Sequence, residues 1–372
     1  MIPYGRQWID EEDIKAVEEV LRSDLLTTGG KVPEFEKHFC EKTGAREACA
    51  VSNGTAALHT AAAILGIKEG DEVITTSLTF AASANCILYQ GARPIFADID
   101  EATWELSPKS VAKKITPKTK AIVAVDFTGA PCDFTELKKF GLPIIEDAAH
   151  SLGASYKGEK VGSISDLTTF SFHPVKHITT GEGGMITTNS PEFAKKMRMF
   201  RSHGITRDKE ELSEIRPQYY YEMKFLGYNY RLTDIQAALG ISQLRRLDEF
   251  VARRRKIGDY YDEIFSDIPE ITTQRFYHGA VSSRHLYCIR VSHKKKDRDR
   301  IFSELRDGGI GVNLHYLPVY LFPYYKSLGY EKGLCPVAER VSNELITLPL
   351  YPKLTDDEVE EVVRVVKKVM KG

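Results

Sequence analysis

From Glu47 to about Ile186 short apolar runs alternate with segments of helical spacing, and this alternation constrains the fold more than any other feature of the chain. ACAVS (48–52), DEVITTS (71–77), RPIFADI (93–99), KAIVAVDF (120–127), LPIIEDAA (142–149), TTFSFH (168–173) and GGMITT (183–188) read as strands. NGTAALHTAAAILG and FAASANCILYQ, between them, read as helices. Strands that alternate with helices build βα units and a mostly parallel sheet. Ligands of such sheets bind at the carboxyl ends of the strands. Chemistry is therefore expected in the residues that follow each run.

The flanking regions have a different texture. DEEDIKAVEEVLRS (10–23) spaces Ile14, Val17, Val20 and Leu21 on one helical face, with acids in the first turn. A loop with paired glycines follows, then a helix near 33–43. Residues 245–264 form a long charged helix, expected to be a hinge. Beyond it come strands near 285–292 and 310–316 and helices near 297–307 and 355–370, a smaller α+β unit. A chain of 372 residues exceeds one ordinary core. We divide it into a large domain with an N-terminal arm (1–245) and a small C-terminal domain (246–372).

Charge and cysteines exclude several classes. Lys plus Arg number 51 and Asp plus Glu 52, so the basic excess of a nucleic-acid binder is missing. The short basic runs at 253–255 and 294–296 read as solvated helix faces. Cysteines at 40, 49, 86, 132, 288 and 335 contain no C-x-x-C pair, so no zinc ribbon or other metal site is expected. Such scattered thiols fit a reducing compartment. The first residues lack a signal peptide's apolar core, and no run reaches membrane-spanning length. A cytoplasmic location without membrane attachment is the expectation.

Three segments carry chemistry. In FSFHPVKHITTGEGGMITT (170–188) Lys176 follows a strand and Pro174 and precedes a glycine-rich hairpin. A desolvated lysine there is a nucleophile for carbonyl compounds; by itself it reads more readily as a loop lysine in water, as most lysines are. In LPIIEDAAHS (142–151) Asp147 ends a buried-type strand. It suits the carboxylate that keeps a pyridine nitrogen protonated, or an acid capping a βα loop. In VSNGTAAL (51–58) a strand turns into a helix, an N-terminus fit for phosphate or an ordinary cap. Phe80 either stacks on a ring or packs in the core, and His150 either meets a ring oxygen or makes a helix-start contact. Gly153 and Gly158 are followed by Glu-Lys, which is no Walker loop. No G-x-G-x-x-G follows the first strand, which disfavours a nicotinamide enzyme.

The order of these features along one βα domain is specific. With GYNYRLTDIQAALG (227–240) and VNLHYLPVY (312–320), the chain resembles the sugar-nucleotide aminotransferases of the DegT/DnrJ/EryC1/StrS family over nearly its whole length. The resemblance implies the aspartate-aminotransferase fold (α/β, fold type I), pyridoxal 5'-phosphate (PLP) as cofactor, glutamate as amino donor, and a homodimer with shared active sites. It makes Lys176 the Schiff-base lysine and proton shuttle and Asp147 the partner of the pyridinium nitrogen. Phe80 becomes the ring-stacking group, and His150 the contact to the phenolic oxygen. Gly54, Thr55 and Ser171 are implied to hold the phosphate, with Asn229 reaching it from the neighbouring subunit. Tyr4, Asp24, Leu25, Leu26, Thr27, His315 and Tyr316 match the family's sugar-nucleotide contacts. Glu182 receives no role.

Some members of the family dehydrate sugars and carry His where this chain has Lys176. RPQYYYEMKFLGYNYRLTDIQ is most similar to the aminotransferases of pseudaminic acid biosynthesis, which act on a UDP-linked 4-keto-6-deoxy-N-acetylhexosamine. Perosamine and 4-amino-arabinose enzymes share most of these motifs. A non-catalytic regulator on the same fold is the remaining alternative, and the intact Lys176 and Asp147 argue against it.

Overall fold

The computed structural model describes residues 1–214 and 216–371. All seven strands expected between residues 47 and 188 form, and they join one sheet. They are β1 (Glu47–Val51), β2 (Glu72–Thr76), β3 (Arg93–Ala97), β4 (Thr119–Val125), β5 (Ile144–Asp147), β6 (Leu167–Ser171) and β7 (Gly184–Thr188). Their spatial order is β1-β7-β6-β5-β4-β2-β3. Only β7 runs against its neighbours, pairing antiparallel with β1 and β6. The other pairs are parallel. A parallel return needs a crossover, usually through a helix. The β6–β7 connection holds none, so β7 folds back beside β6.

This arrangement sends the carboxyl ends of β1, β2, β4, β5 and β6 to one edge. Side-chain alternation then sorts each strand. Phe170 and Phe172 are buried against Phe39 and Phe35, while Ser171 between them faces the opposite side. Glu146 accepts a bond from Thr168 Oγ1 on one face, and Asp147 turns to the other.

Beyond the main sheet, Ile271–Thr273, Tyr287–Val291 and Leu345–Leu348 form a three-stranded antiparallel sheet. Helices Arg298–Asp307 and Asp356–Lys371 lie close to their expected positions. The expected strand at 310–316 is shorter. Ile310–Gly311 pairs in parallel with Ile2–Pro3, and Asn313 then bridges to Thr347, which redirects the following residues.

The helix expected at 245–264 forms as Leu247–Phe265, preceded by one the sequence did not set apart. Asp234–Arg245 and Leu247–Phe265 are separate helices broken at Arg246. The second starts in one apolar cluster with Leu247 and Val251 and ends in another with Ile257, Tyr261 and Phe265. The 253–255 run is not a solvated face. Arg254 is only 1% exposed, because this turn of the helix lies between the two clusters. No helix among the described residues is long and apolar enough to cross a membrane.

Candidate active site

A cavity of about 490 Å³ opens at the edge where the strands end. The sequence places each wall by the same device, a strand that stops and a loop that turns across its end. After β1, Asn53 caps the helix Gly54–Ile64 by accepting the Ala56 N–H at 2.8 Å. The first-turn N–H groups of a helix lack intrahelical partners, and here Gly54 and Thr55 line the cavity. A β-carbon on Gly54 would sit 2.8 Å from Ser171 Cβ, so only glycine lets this turn close on the serine. A β-carbon on Gly184 would meet the Asn53 carbonyl at 2.5 Å, which explains glycine at the start of β7.

After β5, Asp147 forms the floor. It is buried, accepting from Ser83 Oγ at 2.6 Å and from the Ala149 N–H at 3.2 Å. Burial raises its carboxyl above the ordinary range, opposed by those two bonds and by the charge of Lys176. After β6, the Phe172 N–H donates to the Gly183 carbonyl and closes a loop that presents Lys176. Burial pulls the Lys176 amine down to about 8 against the attraction of Asp147.

His150 is buried, with Nε2 3.3 Å from the Tyr316 hydroxyl and Nδ1 without a partner. Its ring lies 4.5 Å from that of His285. Burial and the Lys176 charge hold both imidazoles well below their usual range, so they are neutral. His315 donates or accepts at Nδ1 with Thr347 Oγ1, 2.9 Å away, and burial takes it down to about 3. Phe80 is 61% exposed at the mouth, too open for core packing, with its ring 6.2 Å from that of Tyr316.

Of the expected site residues, the cavity brings together Tyr4, Gly54, Thr55, Phe80, Asp147, His150, Ser171, Lys176, His315 and Tyr316, and adds Glu182. It does not include Asn229 or Asp24, Leu25, Leu26 and Thr27 of the same chain. Asn229 bridges to Ser202, and Thr27 to Thr233. Leu26 accepts from the Asp234 N–H, which ties this loop to the start of helix Asp234–Arg245. Two residues escaped the sequence reading. Ser83 had a usable signal, being one helical turn beyond Phe80. His285 had none, since only the fold carries it to His150.

The residues fit a phosphorylated pyridine aldehyde. The Gly54 turn and Ser171 form a cradle that a β-carbon would fill, Asp147 is a buried acceptor, and Lys176 is a desolvated amine. The profile of the DegT/DnrJ/EryC1/StrS aminotransferase family matches residues 7–367. The chain belongs to that family. It is therefore an aminotransferase with the PLP fold type I architecture. It is similar to a UDP-4-amino-4,6-dideoxy-N-acetyl-β-L-altrosamine transaminase of Campylobacter jejuni, 40% identical over 383 residues, with 100% of this chain and 99% of that one covered. Among solved structures it is similar to Helicobacter pylori PseC, an aminotransferase involved in the biosynthesis of pseudoaminic acid. The TM-score is 0.92 at 34% identity, over 100% of this chain and 99% of that one. A candidate sugar aminotransferase of Streptococcus pneumoniae, solved in its PLP form, also gives 0.92 at 34%, over 100% of this chain and 98% of that one.

Proposed function

We propose that the chain moves an amino group from glutamate to the 4-keto carbon of a nucleotide-linked 6-deoxyhexose, with UDP-2-acetamido-2,6-dideoxy-hexos-4-ulose as the acceptor. Glutamate leaves as 2-oxoglutarate and the ketosugar as the 4-amino sugar. One observation carries this reading. A desolvated amine, a buried carboxylate and an open helix N-terminus share one cavity. The UDP-sugar transaminase of Campylobacter jejuni, alike over its full length, supports the acceptor class.

Pyridoxal phosphate, when bound, supplies an electron sink and a carrier for the amino group. Asp147 keeps a proton on the ring nitrogen, and Ser83 and the Ala149 N–H hold its carboxylate in place. Gly54, Thr55 and Ser171 take the phosphate at the helix N-terminus. His150 would meet the phenolic oxygen and Phe80 would stack on the ring, while Tyr316, 3.3 Å from His150 Nε2, stands between that oxygen and the sugar. Lys176 Nζ would hold the cofactor through its carbonyl and, as a desolvated amine, would be the group that takes and returns the donor's proton. Tyr4 and His315 are the polar rim for the sugar.

Asn229 and the loop Asp24, Leu25, Leu26 and Thr27 serve the other site of a homodimer. Support comes from the apolar side chains on the same segments. Leu26, Tyr219, Met223 and Leu226 are 46%, 75%, 64% and 74% exposed, apolar surface that a partner subunit would cover. We further take 1–245 as the cofactor domain and 246–372 as the small domain, Gly372 lying outside the described residues. The separate apolar clusters along helix Leu247–Phe265 support that division.

A panel of 4-keto sugar nucleotides with glutamate tests the acceptor. A site built for the acetamido group rejects an analogue without it by several kcal/mol, so the UDP-N-acetyl ketosugar should lead in kcat/KM. Preference for GDP-4-keto-6-deoxymannose moves the chain to the perosamine branch. Turnover of ordinary amino acids and 2-oxo acids alone overturns the sugar-nucleotide reading.

A further inference from the structure

Arg254 lies in the middle of a charged helix, yet it is 1% exposed. Its Nη1 donates to the backbone carbonyls of His285 at 3.0 Å and Leu350 at 2.7 Å. Its Nε has no partner, and no carboxylate among the described residues lies within ion-pair distance. Its neighbours are handled differently. Arg253 pairs with Asp356 at 2.7 Å, and Arg255 reaches the Ser282 carbonyl from a half-buried position. A guanidinium taken out of water without a counter-ion is costly, and an apolar side chain of similar volume would avoid that cost. Leaving it unpaired therefore points to a use for its charge.

The carbonyl of His285 anchors that charge directly behind the cavity wall. Burial draws Arg254 down to about 9, which leaves it a cation at neutral pH. Its field acts on Lys176, His177 and His285. The other groups that face Lys176 are Asp147 from the end of β5 and the imidazoles of His150, His177, His285 and His315, all neutral. His173, Glu182, Tyr4 and Tyr316 line the same cavity. Asp147 draws a proton toward the amine, and the neutral imidazoles add no charge. Arg254, held against the backbone of a cavity-lining residue, supplies the fixed positive charge that opposes protonation of the amine.

We propose that Arg254 is a positioning residue for amino transfer: its buried, unpaired guanidinium repels the protonated form of Lys176, so that the amine meets an incoming carbonyl as a free nucleophile. Like charges in a desolvated site disfavour one another, and a lysine beside a second cation is activated in this way. The fork of an arginine also reaches two carbonyls at once, which fixes the charge in place. The proposal rests on the reading of Lys176 as the carbonyl-binding amine.

The test is the titration of Lys176 in the full-length chain. Competitive labelling with acetic anhydride over roughly pH 6 to 11, read by mass spectrometry on the peptide that holds Lys176, gives its midpoint. In the wild type it should fall at about 8. Arg254→Gln keeps a donor for the carbonyls and loses the charge; Arg254→Met loses both. Both should move the midpoint up, by less than burial lowers it, because burial is the main cause of the low value and Arg254 adds to it, while exposed Lys368 stays unchanged. A folded Arg254→Gln chain with the wild-type midpoint overturns the proposal, as does a shift in Arg254→Met alone, which marks a structural contact. Arg254→Lys, which keeps a positive charge, should keep the wild-type midpoint, and a rise in that variant as large as in Arg254→Gln overturns the proposal. Borohydride reduction with PLP and peptide mapping tests the underlying reading separately. Trapping of another lysine removes the role of Lys176 while its titration remains measurable.

Discussion

Ser83 donates a 2.6 Å hydrogen bond to Oδ2 of Asp147, and both side chains are buried. The bond links the helix Ala82–Leu88 to the end of β5 and opposes the rise that burial imposes on the carboxyl. Without it, the Ala149 N–H is the remaining bond to this carboxylate.

Ser83→Ala should therefore lower turnover about ten-fold, the worth of one hydrogen bond to a charged group. Asp147→Asn should lose at least about a hundred-fold, because its neutral side chain no longer holds a proton on the cofactor ring. Steady-state kcat and the dissociation constant for PLP, measured for both, check the ranking. Equal losses would mean that Ser83 does more than hold Asp147.

Gly54→Ala should weaken PLP binding, since its β-carbon would stand 2.8 Å from Ser171 Cβ and force the cradle open. Adding Ser171→Gly removes the clash and the hydroxyl together. The double variant should regain melting temperature without regaining affinity. Equilibrium dialysis and thermal melts separate the two, and wild-type affinity in Gly54→Ala would place the phosphate elsewhere.

Lys176→Met should stabilise the cofactor-free protein at pH 7. The Lys176 pKa is about 8 in the fold against 10.5 for an ordinary lysine. The unfolded chain thus binds more protons between those values, and the lysine's contribution to stability falls as pH drops from 10.5 to 8. Removing the lysine should raise stability by up to about 2 kcal/mol at pH 7, less than the full shift because the amine still meets cavity solvent. The gain should shrink above pH 8 and be gone near 10.5. Denaturant melts of both chains across that range check it; a gain independent of pH would assign it to packing.

Lys176→Ala and Asn229→Asp, each inactive by itself, should recover activity when mixed and allowed to exchange subunits. A mixed dimer then holds one site with an intact lysine and an intact asparagine. The recovered rate should approach about a quarter of wild type under random exchange, following from the symmetry of a two-fold dimer. A fully active monomer in sedimentation would contradict the shared site.

Much of the catalytic half was legible in the chain. The seven strands sit where apolar runs end in turn residues, because strand formation depends on local side-chain spacing and on breakers. Since strand ends collect on one edge of such a sheet, Asp147, Ser171, Lys176 and the Gly54 turn could be grouped before any fold was known. The short strands Ile271–Thr273 and Leu345–Leu348 were not legible, as few residues carry too little pattern.

What the sequence by itself determined is thus the order of the elements and which candidate residues come to share the cavity at the strand ends, both set by local spacing and motif. The tertiary structure decided what depends on long-range burial. Ser83 meets Asp147 across 64 residues, and Arg254 meets the His285 carbonyl across 31. It also decided that one arginine of a basic run loses its water while its neighbours reach polar partners nearer the surface. Desolvation is a property of everything packed around a group, and no stretch of neighbouring residues encodes it.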